Sequence, residues 1–269
     1  MPELPEVETV TKSVKKHILN KSFNSIEVLW PKTLHNFTTV DFKNKIQDKK
    51  IVDVFRRAKY IIVQFESYLL AIHLRMTGKL YSVNKLNRNL KHISLYLPFD
   101  NKYLIYEDTR KFGRFYLYEN MNILNQKLGI EPLSDTFSQT WLIENLKKKK
   151  RQIKSLLFDQ SFVCGLGNIY IDESLWRAKI HPLSLSNKIS KTKVISLHNS
   201  IVKVLSDSIK LGGSTIRDYT YDFAYVGNYA LNLKVFGKDG QKCPRCDYMI
   251  TKTKVAQRGT HYCKKCQKK

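Results

Sequence analysis

Apolar residues near the start of the chain recur every three or four positions, at Val7, Val10, Val14 and Ile18. This spacing places them on one face of a helix, so it predicts an amphipathic helix at the N-terminus. Pro5 lies in its first turn, where a missing N–H leaves no hydrogen bond broken. Glu6 lies there too, where the helix dipole favours negative charge. Helix formation leaves Pro2 and Glu3 unexplained.

Between about residues 23 and 118 the pattern changes to short apolar and alternating runs separated by Asn, Gly and Pro turns. Such runs are typical of β-strands. The predicted strands lie in SFNSIEVLW, KIVDVFRR, YIIVQFE, YLLAIHL, HISLYLP, KYLIYED and RFYLYEN. Strands so closely spaced along the chain favour an antiparallel sandwich or barrel.

A Gly-, Pro- and Ser-containing segment, LGIEPLSD (128–135), follows the strands and is typical of a boundary. Beyond it the apolar spacing becomes helical. The predicted helices lie in TWLIENLKKKK, RQIKSLLFDQ, IYIDESLWRA and KTKVISLHNSIVKVLSDSIKL. Gly212 and Gly213 end the last of these helices. The fold class is therefore α+β, with the strands first and the helices second.

The charge of the chain points to a polyanionic partner. There are 47 Lys and Arg against 23 Asp and Glu, a formal net charge of +24. Nucleic acid is the leading candidate, although ribosomal and membrane-surface proteins share such a balance. The basic run at 147–151 is either a solvated helix end or a phosphate contact, and this context favours the phosphate contact. Lys150 belongs to that run.

The chain has no apolar run of the ~18 residues that a membrane-spanning helix needs. The acidic N-terminus lacks the basic and apolar regions of a signal peptide. We therefore expect a cytoplasmic protein that does not bind membranes. With nucleic acid as the leading partner we also expect association with the nucleoid, and we expect a monomer.

Two CxxC pairs near the C-terminus have the spacing of a zinc ribbon. The four residues are Cys243, Cys246, Cys263 and Cys266. Together they provide the closed set of thiolates of a structural zinc site, with no ligand position left for water. Disulfides are the alternative, which a cytoplasmic location disfavours. The residues between the pairs predict a basic β-hairpin with its turn near Gly259. Cys164 lies in an apolar segment and is expected in the core rather than as a reactive thiol.

Motifs along the whole chain resemble one family. PELPEVET begins the chain, GLGNIYIDE (165–173) lies in the helical half, and AQRGTHYCKKC lies near the end. RRAKY, HLRMTG, EDTRKFG and IKSLLFDQ between them agree as well. This order and content resemble formamidopyrimidine-DNA glycosylase, a bacterial bifunctional enzyme that repairs oxidised purines.

The resemblance implies an N-terminal β-sandwich domain over 1–131 and a helix-two-turn-helix domain over 132–234. It also implies a β-hairpin zinc finger over 235–269. DNA would bind in the cleft between domains, and a loop at about 217–226 would cap the flipped base. That loop, within TYDFAYVGNYALNLKVFG, is more aromatic than the family pattern. Lesion preference is therefore less constrained than reaction type.

Removal of Met1 would make Pro2 a secondary-amine N-terminus. An α-amino group titrates near pH ~8, and a helix N-terminus and cations lower that value, so Pro2 can act as a nucleophile. The neighbouring Glu3 resembles the proton donor of the family. Glu6 supports the site or only the helix end. Lys59 resembles the family's β-elimination lysine, and a phosphate contact is the alternative.

Further residues take roles implied by the resemblance. Arg258 resembles the arginine that grips phosphates around the lesion and assists δ-elimination, and Asn168 resembles a phosphate-contacting asparagine at a helix N-terminus. A void-filling trio inserts into the base stack and holds the unpaired cytosine. That trio matches Met76, Arg110 and Phe112, of which Met76 and Phe112 would otherwise be core residues. Other expected DNA or lesion contacts are His73, His92, Lys150 and Lys154.

Two rival functions remain open at this point. An endonuclease VIII-like enzyme would act on oxidised pyrimidines, but its members typically start with PEGPE and lack this trio. A catalytically silent protein could retain the fold to bind damaged DNA. Pro2 and Glu3 argue against that alternative, because binding phosphate requires neither of them.

Overall fold

The computed structural model describes residues 1–87, 91–214 and 227–269. The chain forms two compact units, which are described separately. The first unit contains Met1–Gln126 with Gly212–Gly227, and the second contains Lys127–Leu211 with Asn228–Lys269. The three domains proposed over 1–131, 132–234 and 235–269 stay a prediction. The expected capping loop at about 217–226 lies outside the described residues.

The first unit is an antiparallel β-sandwich of two four-stranded sheets. One sheet has the strand order β1-β6-β7-β5 and the other has the order β2-β3-β4-β8. The strands are β1 (Glu27–Val28), β2 (Asp53–Arg57), β3 (Tyr60–Gln64), β4 (Leu69–His73), β5 (Gly78–Val83), β6 (Ile93–Phe99), β7 (Lys102–Asp108) and β8 (Arg114–Tyr118). The prediction of a strand-rich first half is confirmed, and the sandwich alternative is the correct one.

Helix α1 (Leu4–Ile18) packs against β2, β3 and β5. The predicted apolar face is buried, since Val7, Val10, Val14 and Ile18 are each at most 1% exposed. These side chains share one core with residues of both sheets, such as Val63, Leu70, Leu95 and Leu104. Burial of this face fixes the direction in which the N-terminal residues leave the sandwich.

Among the α-helices and strands described in the first unit, three were not predicted. They are β5, α2 (Thr39–Lys45) and α3 (Asn122–Lys127). The strand β5 begins at Gly78, and a glycine favours a turn in the local sequence. Its partner β7 pairs with it at separations of 20 to 30 residues. Helix α2 has its signal in the capping box of Thr38 and Asp41, which lies within the strand-rich stretch.

The second unit contains the four predicted helices. They are α4 (Gln139–Lys147), α5 (Ile153–Phe158), α6 (Asn168–Arg177) and α7 (Lys191–Lys210). Gly212 and Gly213 follow α7 with φ of 76° and 87°, as expected of a helix stop. Within the segment 128–135, Ile130 forms a parallel bridge with Val163.

The C-terminal hairpin consists of β9 (Ile250–Val255) and β10 (Arg258–Cys263). The predicted hairpin is confirmed, and its turn lies two residues before Gly259. Val255 pairs directly with Arg258, and the turn is formed by Ala256 and Gln257 with φ of 48° and 59°. Both residues have positive φ, as a two-residue type I′ turn requires. Gly259 instead lies within β10, opposite Lys254.

Candidate nucleic-acid interface

The N-terminal end of α1 is buried and held by hydrogen bonds. Pro2 is buried, and Glu3 and Glu6 are 3% and 5% exposed. Glu3 is the N-cap of the helix and forms a capping box with Glu6. The backbone N–H of Glu3 donates to Glu6 Oε2 at 2.9 Å. The residue next to Pro2 is thereby fixed to the first helical turn.

The second carboxylate oxygen of Glu6 binds a distant segment of the same unit. Glu6 Oε1 accepts the backbone N–H of Ser214 at 2.7 Å and the Ser214 hydroxyl at 3.1 Å. Gly213 lies so close that an added Cβ would be 2.8 Å from Glu6 Oε1. Glycine is needed at 213 both for this close approach and for its positive φ. Glu6 therefore links the helix end to the segment after α7.

Lys59 lies in the two-residue connection between β2 and β3 and is 5% exposed. The preceding Ala58 has a φ of 52°, and its carbonyl accepts a hydrogen bond from Arg56 Nη1 at 3.0 Å. Arg56 also pairs with Glu8 of α1 at 2.9 Å. These contacts fix the turn that carries Lys59 to the helix that carries the N-terminal residues.

His73 ends β4 and is 8% exposed. Burial lowers the pKa of His73 to about 3, and the positive charges of Arg75 and Lys59 contribute to that shift. Its Nδ1 accepts the backbone N–H of Arg75 at 3.0 Å, so the proton of the neutral ring lies on Nε2. His73 is therefore a neutral hydrogen-bonding group at physiological pH.

The residues expected to fill the void are exposed and contact one another. Met76 and Phe112 are 41% and 47% exposed, so neither is a core residue. Arg110 Nη1 is 3.0 Å from Met76 Sδ, and the Arg110 guanidinium carbon is 4.8 Å from the centroid of the Phe112 ring. His92 is exposed with a φ of 73° in the turn before β6.

A cleft of about 460 Å³ lies beside these side chains in the first unit. It is lined by Met1, His35, Arg75, Met76, Phe112, Arg114 and Tyr116. The rings of His35 and Tyr116 are 4.6 Å apart between centroids. Met1 therefore lines the same cleft as Met76 and Phe112, together with Arg75 and Arg114, which the sequence did not indicate.

The two lysines expected at the DNA have different environments in the second unit. Lys150 is exposed. Lys154 is 1% exposed, and its Nζ is 2.6 Å from Asp172 Oδ1. Asp172 Oδ2 accepts the backbone N–H of His261 at 2.8 Å. The ion pair therefore joins α5 and α6 to the hairpin strand β10.

The carbonyl of Gly259 is a second joint between the helices and the hairpin. It accepts hydrogen bonds from Asn168 Nδ2 at 2.8 Å and from Lys154 Nζ at 3.3 Å. The preceding Arg258 is exposed, and its guanidinium carbon is 5.2 Å from the Phe158 ring centroid. The Lys154–Asp172 pair and the Gly259 carbonyl therefore both fix the part of the hairpin that carries Arg258. The turn before Asn168 has the expected form, with Gly167 as N-cap and Gly165 at a φ of 85°.

The four cysteine thiols form one cluster in which all sulfur atoms lie within 4.8 Å of one another. Individual separations are 3.9 Å for Cys243–Cys266, 3.5 Å for Cys246–Cys263 and 3.3 Å for Cys246–Cys266. Tetrahedral zinc with bonds of about 2.3 Å places its sulfur ligands slightly less than 4 Å apart, so the cluster fits this ion. Trp176 Nε1 donates to Cys243 Sγ at 3.4 Å.

Comparison with known proteins agrees with this arrangement over the whole chain. The family models that match are the formamidopyrimidine-DNA glycosylase N-terminal domain (1–115), its H2TH domain (128–220) and a zinc finger found in FPG and IleRS (240–269). Formamidopyrimidine-DNA glycosylases from Lactococcus lactis and Halalkalibacterium halodurans are 43% and 40% identical to the chain. Each alignment covers 100% of both sequences.

The chain belongs to the formamidopyrimidine-DNA glycosylase family.

Solved structures of the family have the same fold. A Lactococcus lactis Fpg variant in complex with Fapy-dG-containing DNA matches with a TM-score of 0.94 at 40% identity, over 100% of both chains. A structure of MutM with carbocyclic 8-oxo-G-containing DNA matches with a TM-score of 0.92 at the same identity and coverage. The predicted α+β fold is confirmed, and the chain is a DNA glycosylase with AP lyase activity.

The zinc finger of the family is present as predicted. The cysteine cluster together with the matching family model supports one structural zinc ion, held by Cys243, Cys246, Cys263 and Cys266. When bound, the ion cross-links the two turns at the base of the hairpin. Cys164 lies apart from it, buried, with its thiol donating to Glu131 Oε1 at 3.4 Å. No helix in the described ranges is long and apolar enough to span a membrane.

Several residues that organise this glycosylase site were not singled out from the sequence. Ser214 binds Glu6, Asp172 binds Lys154, and Asp108 binds the loops of Met76 and Phe112. Asp108 and Thr77 lie inside the motifs EDTRKFG and HLRMTG, which gave a usable signal. A short polar residue inside a family motif, close to an expected DNA-contacting residue, is a candidate for holding that loop in place.

Proposed function

We propose that the protein excises oxidised purines, such as 8-oxoguanine and formamidopyrimidines, from double-stranded DNA and then cleaves the strand in base excision repair. The observation that carries this proposal is the buried N-terminal end, where Glu6 holds the N–H of Glu3 beside Pro2. A protein that only binds DNA does not need Pro2 and Glu3 to be held in fixed positions. The lesion classes are those bound to relatives of known structure, namely Fapy-dG and 8-oxo-G.

The reaction begins once Met1 is removed and Pro2 has a free secondary amine. The nitrogen attacks C1′ of the damaged nucleotide, the bond from C1′ to the base breaks, and the base leaves with the bonding electron pair and takes up the proton that the amine nitrogen loses. Glu3 donates a proton as the sugar ring opens. A secondary amine forms an iminium whose fixed charge acidifies the C2′ proton, so loss of that proton and of the 3′-phosphate follows. Lys59 is the candidate base for this step.

A second elimination releases the 5′-phosphate, with Arg258 at the phosphates. Water then hydrolyses the iminium and frees Pro2. Asn168 and Lys150 are proposed as phosphate contacts, and neutral His73 and exposed His92 as further contacts with the DNA. Met76, Arg110 and Phe112 are proposed to fill the space that the extruded nucleotide leaves and to hold the opposite cytosine. Lys154 is buried, so its proposed effect on DNA is exerted through the hairpin.

The test is borohydride trapping with duplex DNA that contains 8-oxoguanine opposite cytosine. A covalent protein–DNA adduct is expected for the processed wild-type protein and is expected to be diminished in Pro2→Gly, because glycine replaces the secondary amine with a primary one. Absence of an adduct with the wild type would support a catalytically silent damage-binding protein. An undiminished adduct with the variant would exclude Pro2 as the nucleophile and assign the covalent bond to another amine. Faster cleavage of thymine glycol than of 8-oxoguanine would instead support the endonuclease VIII-like alternative.

A further inference from the structure

The carboxylate of Asp108 is fully buried at the end of β7 and accepts four hydrogen bonds. Oδ1 accepts the hydroxyl of Thr77 at 2.5 Å and the backbone N–H of Arg110 at 3.2 Å. Oδ2 accepts the backbone N–H of Gly113 at 2.8 Å and the hydroxyl of Tyr106 at 3.2 Å. A buried anion with this many donors is stabilised in one orientation.

The donors belong to the segments that carry the insertion side chains. Thr77 directly follows Met76, and Gly113 directly follows Phe112. The N–H of Arg110 also reaches the Thr77 hydroxyl at 3.2 Å, which ties the two segments to each other. The two loops are therefore fixed around one carboxylate.

The backbone of Asp108 extends the same network. Its N–H donates to the carbonyl of His92 at 2.9 Å, and its carbonyl accepts the N–H of Lys111 at 3.2 Å. His92 is itself a candidate DNA contact. One residue thus connects three segments of the first unit that carry proposed DNA contacts.

Close packing around Tyr106 holds the same two loops from below. Its ring is fully buried, and Gly78 and Gly113 both lie against its hydroxyl. A Cβ at either glycine would overlap the Tyr106 side chain, so both positions must lack one. Gly78 also pairs with Asp108 in the β5–β7 ladder. The two loops are therefore tightly packed against Tyr106 at Gly78 and Gly113, whereas Met76 and Phe112 are exposed.

We propose that Asp108 is a positioning residue that sets the spacing between Met76 and the Arg110–Phe112 pair before DNA is bound. It acts through the loops and touches no substrate. Side chains held in place in advance lose less entropy on insertion than mobile ones, so this geometry raises the rate of base extrusion. The inference rests on the proposed function, in which these three side chains enter the DNA stack.

The decisive variants change the hydrogen bonds and preserve side-chain size. In Asp108→Asn an amide N–H₂ group replaces one of the two oxygens. It then faces the backbone N–H of either Arg110 or Gly113, and that hydrogen bond is lost. Thr77→Val removes one donor, and Thr77→Ser retains the hydroxyl as a matched control. Thermal unfolding establishes which variants fold. If Asp108→Asn does not fold, Thr77→Val is the variant that tests the inference.

Two reactions separate positioning from chemistry. Single-turnover excision of 8-oxoguanine opposite cytosine in a duplex needs extrusion and void filling. Borohydride trapping on a single-stranded abasic oligonucleotide needs neither. We expect Asp108→Asn and Thr77→Val to slow the duplex reaction by about tenfold or more. The single-stranded reaction and both reactions of Thr77→Ser should stay within about twofold of the wild type. Preference for cytosine over adenine opposite the lesion should also fall.

Two results would overturn the inference while the proposed function stands. One is an unchanged duplex rate in folded Asp108→Asn and Thr77→Val. The other is an equal loss in the duplex and single-stranded reactions, since that reflects general damage to the unit. If the wild-type protein forms no adduct with either DNA, the proposed function fails and this inference fails with it.

Discussion

Glu6 and Ser214 are 208 residues apart in the chain and joined by two hydrogen bonds to one carboxylate oxygen. The other oxygen of Glu6 binds the N–H of Glu3. One buried side chain therefore fixes the residue beside Pro2 and the segment that follows α7. The hydrogen bonds described for this carboxylate all come from N–H and O–H donors, so a donor in place of either oxygen would be poorly tolerated.

Glu6→Gln tests this arrangement. The amide nitrogen of glutamine would face either the N–H of Glu3 or the N–H of Ser214, so one buried donor loses its acceptor. We expect the free energy of unfolding to fall by about 1–3 kcal/mol, together with slower adduct formation at Pro2. Chemical denaturation and borohydride trapping measure the two effects. Glu27→Gln, at an exposed residue of β1, is the matched control and should behave as the wild type.

The buried His73 makes stability depend on pH. Its pKa is lowered to about 3 in the folded protein, whereas an unfolded histidine titrates near pH ~6.5. Below pH ~6.5 the unfolded chain binds a proton that the folded chain does not, so acid favours unfolding. The stability that comes from the neutral His73 is fully present above pH ~6.5, and it decreases as the pH falls from ~6.5 towards 3.

The charged groups that act on His73 are Arg75 and Lys59, and Tyr60 packs against its ring. In His73→Asn the oxygen of asparagine can accept the Arg75 N–H, and no titrating group remains. Between pH 8 and pH 5 the wild type should lose about 2 kcal/mol more stability than this variant. Urea unfolding at both pH values checks this. Equal losses in both proteins would show that His73 is protonated in the folded state.

The two candidate lysines of the second unit should respond differently to mutation. Lys154→Met leaves the Asp172 carboxylate buried without its partner, at a cost of about 3–5 kcal/mol in unfolding free energy. Lys150→Ala removes an exposed charge, with an effect on stability within about 0.5 kcal/mol. If Lys150 contacts a phosphate, the slope of log affinity against log salt becomes shallower by about 1. Salt-dependent DNA binding and denaturant unfolding distinguish the two roles. Comparable stability of both variants would contradict the buried ion pair.

Removal of zinc should affect the second unit first. The cysteine cluster packs with Trp176, Val235 and Ile250, so its loss releases the base of the hairpin that carries Arg258. We expect a chelator to abolish DNA binding and change Trp176 fluorescence while the β-sheet signal in circular dichroism is largely retained. Cys164→Ala is the control, because Cys164 lies outside the cluster. Full DNA binding by metal-free protein would be incompatible with this role of the hairpin.

Local patterns predicted the elements whose signals are local. The apolar face of α1, the four helices of the second unit and the spacing of the cysteines all lie within short stretches of sequence. Strand β5 escaped prediction because its stability comes from pairing with β7, a partner that local sequence does not reveal. The turn of the C-terminal hairpin was expected near Gly259 because glycine usually marks positive φ, whereas here Ala256 and Gln257 adopt it.

The candidate site follows the same division. Motif residues such as Pro2, Met76 and the cysteines could be named from sequence. The hydrogen bonds that hold the site together join residues far apart in the chain, which the sequence does not reveal. Asp172 and the His261 N–H are 89 positions apart. The burial of Lys154 was equally hidden, since a lysine near a basic run has the sequence pattern of a surface residue. Only folding brings its carboxylate partner within 2.6 Å.

The joint at Gly259 has a consequence for how this protein tolerates sequence change. Asn168 and Lys154 bind the carbonyl oxygen of residue 259, an atom that every amino acid has. An added Cβ would meet Lys252 Cε at 3.7 Å, an ordinary contact distance, and the residue is not among those with positive φ. Substitution of Gly259 is therefore expected to leave the connection between helices and hairpin intact. A variable residue at this position can still have a structural role, because that role belongs to its backbone carbonyl.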